Sequence, residues 1–284
     1  MPQLTHRAPY LSFLTEEGVY AWQILLRYPT RAVILLDGDG TMWYLVRFPD
    51  MPVVDPRFPV LLRGLQRRTL ATGLLTGRSV EQVESFGLTG IDVVGQFGCE
   101  CKRGDRHDMW EPLPTVPADA RVQQIRQLLA ELGLSGLDRN IEVKSHFVAV
   151  HYPGDLEREV LGQLHGGLER LAREWRLAFL PGRNVIEIGP RVDKKDSLLK
   201  FVNGLERGVS VVLYAGDSAP DLGAFDALDL LRAKGIPTIK VAASDHEELC
   251  ARADIWINGP EGLLMMLTLL QADPAPGDRR LVLA

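Results

Sequence analysis

The sequence predicts an α/β fold in which a parallel-sheet core is interrupted by a smaller α+β insert. Three observations carry this. Short apolar runs at 32–36, 70–75, 209–214 and 236–241 each end in or near Asp, Gly or Thr turn residues, the pattern of strands buried on both faces of a parallel sheet. Helical patterns at 58–68, 80–86 and 195–205 alternate with those runs. From about residue 102 to 181 the character changes. One helical stripe runs through Val122, Ile125, Leu128, Leu129 and Leu132, and another through Val160, Leu161, Leu164, Leu168, Leu171, Ala172 and Trp175. Between them IEVKSHFVAVHY, residues 141–152, reads as a β-hairpin.

The expected organisation is therefore a Rossmann-like core at 31–101 and 185–284, an inserted α+β cap domain at 102–184, and an N-terminal extension at 1–30 whose EEGVYAWQILLRY segment forms a helix on the core. The tail DPAPGDRRLVLA carries prolines, glycine and charge and reads as loosely docked. Hinges are expected near Lys102 and Gly182, where the chain enters and leaves the insert.

Composition narrows the function. The 284 residues hold 32 Lys plus Arg against 37 Asp plus Glu, a net charge of −5, so a nucleic-acid surface is not expected. Hydrophobic residues make up 46% and charged residues 24%, an ordinary balance that excludes disorder as the dominant state. No apolar run reaches the roughly 18 residues of a bilayer span, and MPQLTHRAPYLSFL lacks a secretory signal's apolar stretch. A cytoplasmic protein without membrane partners, monomeric or a small homo-oligomer, is the expectation. Cys99, Cys101 and Cys250 lack zinc-finger spacing and read as reduced and structural.

The strongest chemical signal is LLDGDGT at 35–41. Asp37 and Asp39 are two residues apart, so on an extended strand end they point to one side with roughly 6–7 Å between Cα atoms. At about 5 Å and an effective dielectric near 20, two carboxylates repel by roughly 3 kcal/mol, which a divalent cation or a shared proton relieves. DGDG is also an ordinary polar turn. Three other segments favour chemistry. LLTGRS at 74–79 ends a strand in Thr76 at a helix start, where hydroxyl and backbone N–H groups suit phosphate, though a helix cap needs the same residue. RVDKKDSLLKFV sets Lys194 and Lys195 before an amphipathic helix, and YAGDSAPDLGAF places Asp217 and Asp221 on a loop suited to Mg²⁺.

In this order the four elements resemble the haloacid dehalogenase superfamily of phosphohydrolases. That resemblance implies Asp37 as nucleophile, Asp39 as general acid/base, Thr76 on the phosphoryl group with Gly77 and Arg78 beside it contacting substrate, and Lys194 as the neutralising cation. It further implies a magnesium site built from Asp37, Asp39, Asp217 and Asp221. Most of the chain, from Arg31 to Leu270, is similar to the trehalose-phosphate phosphatase family through LLDGDGT, LLTGRS, GQFGCE (95–100), IEVK (141–144), VHYP (150–153), GRNVIEIGPRVDKKDSLL and GDSAPDLGAF. The family resemblance implies that Glu142, Lys144 and Glu187 grip sugar hydroxyls. This sequence departs from the family at Ser218, Pro220 and Leu222, at Phe97 where histidine is usual, and at Gly38 where an aromatic residue is usual; these departures bear on the sugar and leave the hydrolase set intact.

The expected activity is magnesium-dependent hydrolysis of a sugar phosphate, trehalose 6-phosphate first, through an aspartyl-phosphate. Glucosyl- or mannosyl-3-phosphoglycerate is the alternative substrate class. A phosphomutase, or a non-catalytic sugar-phosphate sensor, is the alternative of a different kind.

Overall fold

The computed structural model describes residues 10–46, 50–182 and 184–272. The expectations for the first residues and for the tail after 272 lie outside them. Two compact units emerge. One takes residues 10–45, 52–108 and 193–272, the other 109–182 and 184–192 together with 46 and 50–51.

In the larger unit the chain runs β1 (Leu11–Phe13), α1 (Glu16–Arg27), β2 (Ala32–Leu36), α2 (Arg57–Gln66), β3 (Ala71–Leu75), α3 (Val80–Ser85), β4 (Asp92–Gly95), β5 (Glu100–Arg103) and β6 (Arg106–Met109). The smaller unit follows with α4 (Ala118–Glu131), β7 (Ile141–Val143), β8 (Val148–His151), α5 (Arg158–Glu174), β9 (Ala178–Gly182) and β10 (Val185–Gly189). The chain then returns through α6 (Lys194–Asn203), β11 (Val211–Gly216), α7 (Leu222–Ala233), β12 (Thr238–Ala242), α8 (Glu247–Arg252), β13 (Ile255–Ile257) and α9 (Gly259–Gln271).

The large sheet has the order β1-β13-β12-β11-β2-β3-β4-β5-β6. Its strands are parallel from β13 to β4, with β1 and β5 antiparallel to their neighbours. Every residue of β2, β3 and β11 is buried, as the continuous apolar runs require when both faces are covered. Helix starts are set by short polar side chains. The Thr15 hydroxyl accepts from the Gly18 amide (3.0 Å) at α1, Ser79 and Gln82 form a reciprocal capping box at α3, and Asp193 accepts from the Asp196 amide (2.8 Å) at α6. Strand β2 lies between β3, which follows it, and β11, which comes much later. Such a switch in strand order opens a crevice beyond the carboxyl ends of the strands.

In the smaller unit α4 and α5 cover an antiparallel sheet of order β7-β8-β10-β9, with a core of Ile125, Leu129, Val148, Val150, Leu164, Leu168, Ile186 and Ile188. The two helical stripes and the hairpin read from sequence are all found there.

Three expectations are corrected. Residues 10–30 belong to the core unit and do not form a separate extension, and the helix expected at EEGVYAWQILLRY packs on that core as read. β1 pairs with β13 at Leu11↔Ile257, and α1 buries Ala21, Trp22 and Leu25 in the main core, because its apolar residues recur on one face. The insert begins and ends later than 102–184: β5 pairs with β4, keeping the chain in the large sheet to residue 108, while β10 pairs with β8 and β9, keeping the smaller unit intact to 192. The hinge positions fail for the same reason, since Lys102 lies inside β5 and Gly182 inside β9.

Cys99, Cys101 and Cys250 are free thiols. Burial pushes the Cys101 thiol up to about 12, which keeps it protonated and inert. Among the described residues no helix is long and apolar enough to cross a membrane.

Candidate active site

The site forms at the carboxyl ends of β2, β3 and β11. Asp37 follows directly on β2, and its amide donates to the Ala215 carbonyl of β11 (2.8 Å). Asp217 follows directly on β11, and Asp221 lies four residues further in a tight turn. Carboxylate oxygens of Asp37, Asp217 and Asp221 all lie within 4.8 Å of one another. Three carboxylates at that spacing require cationic compensation.

Lys194 supplies it. Only 4% of its side chain is exposed, and its Nζ donates to Asp37 Oδ1 at 2.8 Å and Asp221 Oδ1 at 2.5 Å. Asp193 caps α6 and so fixes the helix phase; Lys194 points inward and Lys195 is partly exposed. Burial opposes the ammonium charge, but Asp221 and Asp37 outweigh it and hold Lys194 above its ordinary value. The carboxyl of Asp37 is pushed well above its ordinary value, first by burial and then by the charges of Asp221 and Asp217, with Lys194 acting in the opposite sense.

Asp221 is fully buried and fully engaged. Lys194 and the Tyr214 hydroxyl (2.6 Å) donate to Oδ1, while the amides of Asp217 (2.9 Å) and Ser218 (3.0 Å) and the Ser218 hydroxyl (3.3 Å) donate to Oδ2. A carboxylate offers about four lone-pair positions, so Asp221 serves chiefly to orient its neighbours. Asp217 is different: its Oδ1 is buried and has no hydrogen-bond partner, and burial with the nearby Asp221 charge pushes its carboxyl up to about 6. An all-oxygen donor set with one orphaned carboxylate oxygen fits a hard dication such as Mg²⁺. Asp37 and Asp217 supply the oxygens open to it; Asp221, also expected as a ligand, lies in the same cluster with both its oxygens engaged in hydrogen bonds.

Asp39 stands apart from this cluster. Its carboxylate is held by both arms of the Arg78 guanidinium, Nε to Oδ2 at 2.8 Å and Nη2 to Oδ1 at 2.7 Å, a bidentate pairing that fixes orientation as well as charge. Two expectations change. The Asp39 carboxylate is not part of the carboxylate cluster that could hold a metal, and Arg78, expected on the substrate, is engaged with Asp39. Thr76 is 1% exposed, and its hydroxyl accepts from the Arg78 amide (3.2 Å). Gly77 abuts the Phe97 ring so closely that a Cβ would lie 2.5 Å from Cζ.

The departures at Gly38 and the acidic loop have local causes. A Cβ on Gly38 would overlap the buried Trp43 indole, which occupies the space of a side chain at position 38. Ser218 caps the short helical turn containing Pro220 and pairs reciprocally with Asp221.

In the smaller unit Lys144 Nζ donates to Glu187 Oε1 (2.8 Å) and lies 4.0 Å from Glu142 Oε1, so the three expected sugar-contact residues do form one group. His151 Nε2 joins it at 3.0 Å from Glu142 Oε2. Sequence reasoning assigned no role to His151 or Tyr214. The first stood in VHYP, and the second ends an apolar run and reads as core.

The fold is that of solved phosphatases of the haloalkanoate dehalogenase (HAD) superfamily. A phosphatase of that superfamily from Bacteroides thetaiotaomicron superposes with a TM-score of 0.52 at 16% identity over 84% of this chain and 94% of its own. The C-terminal domain of C. albicans trehalose-6-phosphate phosphatase does so with a TM-score of 0.69 at 21% identity over 93% and 99%. Both likenesses concern the fold. The trehalose-phosphatase family model matches residues 35–251, and the chain belongs to that family. It is 28% identical over 225 residues to the trehalose-phosphate phosphatase of Mycobacterium tuberculosis (strain H37Rv), covering 77% of this chain and 56% of that protein. The chain thus spans little more than half the length of the first curated relatives it matches.

Proposed function

We propose that this protein hydrolyses a sugar phosphate, trehalose 6-phosphate in the first place, through an aspartyl-phosphate on Asp37. The observation that carries the reading is the cluster in which buried Lys194 bridges Asp37 and Asp221 while Asp217 keeps an unpartnered oxygen. Phosphate monoesters are among the slowest esters to hydrolyse uncatalysed, and an anionic nucleophile must approach an anionic phosphoryl group. Lys194 lowers that repulsion, and Thr76 and the backbone at Gly77 are the donors we assign to the phosphoryl oxygens. Asp37 attacks phosphorus, the bond to the sugar oxygen breaks, and Asp39 delivers a proton to the departing alkoxide. Asp39 then takes a proton from the water that attacks the aspartyl-phosphate, which frees Asp37 and inorganic phosphate. Arg78 orients Asp39, and one of its two bonds opens when Asp39 carries the proton for the first transfer, since a protonated oxygen no longer accepts from the guanidinium. Mg²⁺, bound by Asp37 and Asp217, would add positive charge beside the phosphoryl oxygens. Glu142, Lys144 and Glu187 are the residues we assign to sugar hydroxyls, with His151 orienting Glu142.

Phosphate release is expected with Mg²⁺ and is expected to vanish in EDTA. Ranked by kcat/KM, trehalose 6-phosphate should lead a panel that includes glucosyl- and mannosyl-3-phosphoglycerate. If a phosphoglycerate leads instead, the hydrolase assignment survives and the trehalose assignment does not. No release from any ester would support a sensor.

Metal binding should depend on pH. The Asp217 carboxyl sits at about 6 in the metal-free protein, so below that pH a proton competes with the cation. Between pH 7.5 and pH 5 the Mg²⁺ affinity is expected to fall about tenfold from this group alone, as read by titration calorimetry. An affinity that is flat across this range would remove Asp217 from the metal site.

A further inference from the structure

GQFGCE is a segment that neither the metal cluster nor the sugar group uses, and its backbone is unusual. Gln96, Phe97 and Gly98 have φ of 49°, 58° and 114°, three successive left-handed residues of which two carry side chains. Such a run persists only where its surroundings impose it, and it gathers at functional sites. Here it connects two parts of the active site. On one side the Gln96 amide donates to the Arg78 carbonyl and the Phe97 amide to the Thr76 carbonyl, both at 2.9 Å, with the Phe97 ring laid on Gly77. On the other, the Ser197 hydroxyl donates to the Phe97 carbonyl at 2.7 Å, from the first turn of α6, three residues after Lys194. Gly98 is required there, because a Cβ would overlap Ser197 Oγ.

One buried carboxylate fastens this turn. Glu100, 3% exposed, accepts from the Gln96 side-chain amide (2.8 Å) and from the Val80 backbone amide (3.0 Å) with Oε1, while Oε2 meets His107 Nε2 at 2.7 Å. Val80 is the first residue of α3, the helix that follows the Thr76–Ser79 loop. Glu100 therefore ties the start of that helix to the left-handed turn.

We propose that Glu100 is a positioning residue: by locking the Gln96–Gly98 turn it fixes the Thr76–Arg78 loop relative to the helix that bears Lys194. It is buried and lies outside the Asp37–Asp217–Asp221 cluster. The inference rests on the hydrolase reading only for its kinetic consequence. Thr76 and Lys194 must address the same phosphoryl group, and a shift of about 1 Å between such groups can cost up to about 10²-fold in rate.

Glu100→Gln and Glu100→Met separate this role from packing. Gln keeps an acceptor for Val80 and Gln96 at the same size, whereas Met fills similar volume and leaves both donors unpaired. With Mg²⁺ and trehalose 6-phosphate, and with p-nitrophenyl phosphate as a second substrate, E100M should lose about tenfold or more in kcat with KM little changed, and E100Q should retain most of the rate. Ser197→Ala should lower kcat more mildly, and the E100M/S197A double variant should be no slower than E100M, since both act through one turn. In hydrogen exchange, E100M should deprotect 76–80 and 194–198 together, and E100Q should not. Folded E100M with wild-type kcat, equal losses in E100M and E100Q, additive losses in the double variant, or exchange confined to one segment would each overturn the proposal. Wild-type protein inactive on both substrates would sink the hydrolase reading alone, and the exchange pattern would still decide for or against the lock.

Discussion

Replacing Asp37 by Asn is expected to abolish phosphate release, by on the order of 10⁵-fold or more, as loss of a covalent nucleophile does elsewhere. The amide has nearly the same shape but no anionic oxygen to attack phosphorus. The fold should survive, because Asp37 is a charge already disfavoured by burial and by Asp221 and Asp217. Asn removes that like-charge repulsion while retaining an oxygen for Lys194, so the two effects oppose each other and the melting temperature should move by only a few degrees. Asp39→Asn makes the companion test. With p-nitrophenyl phosphate the leaving phenolate needs no proton, so D39N should still load phosphate onto Asp37 and then stall, because no base activates water. Intact-protein mass spectrometry after acid quench reads this directly. A phosphorylated D37N chain, or retained turnover in D37N, would contradict the aspartyl mechanism.

How much of this was legible in the chain follows from what kind of force places each part. Strands β2, β3 and β11 announce themselves because burial on both faces demands unbroken apolar runs, and their ends because Asp, Gly and Thr follow at once. The residues that converge at those ends, Asp37, Thr76, Asp217 and Asp221, come with them. Lys194 against Lys195 could not be decided, since the choice depends on helix phase, and the phase is set by the cap at Asp193. β5 and β6 escaped because ECKR and RHDM are polar outer strands with no apolar signature. β9 escaped because Pro181 argues against a strand, yet an edge position tolerates it. The Arg78–Asp39 clamp was invisible for another reason: a pairing across 39 residues is a property of the folded turn and leaves no local pattern. Tyr214 likewise looks like core until its hydroxyl is found on Asp221.

The buried lysine should govern stability as much as rate. Lys194→Met replaces the ammonium by an apolar group of similar length and leaves Asp37, Asp217 and Asp221 facing one another without their cation. Breaking a buried ion pair from one side costs about 3–5 kcal/mol, and loss of a preorganised charge at the phosphoryl group costs about 10²–10³-fold in kcat. The stability loss carries a definite pH signature. Asp37 and Asp217 are already held above the ordinary 3.8, and without Lys194 the Asp37 carboxyl rises further. A carboxyl raised in the folded state binds more protons there than in the unfolded chain, so stability falls as pH rises through its folded value. The K194M deficit should therefore be largest at high pH and shrink as pH falls and these carboxyls take up protons. Mg²⁺ should raise the melting temperature of K194M more than that of the wild type, because the dication would replace a missing positive charge as well as fill the gap beside Asp217. A deficit that is independent of pH and of Mg²⁺ would mean that Lys194 contributes packing alone, and the electrostatic account of the cluster would have to be given up.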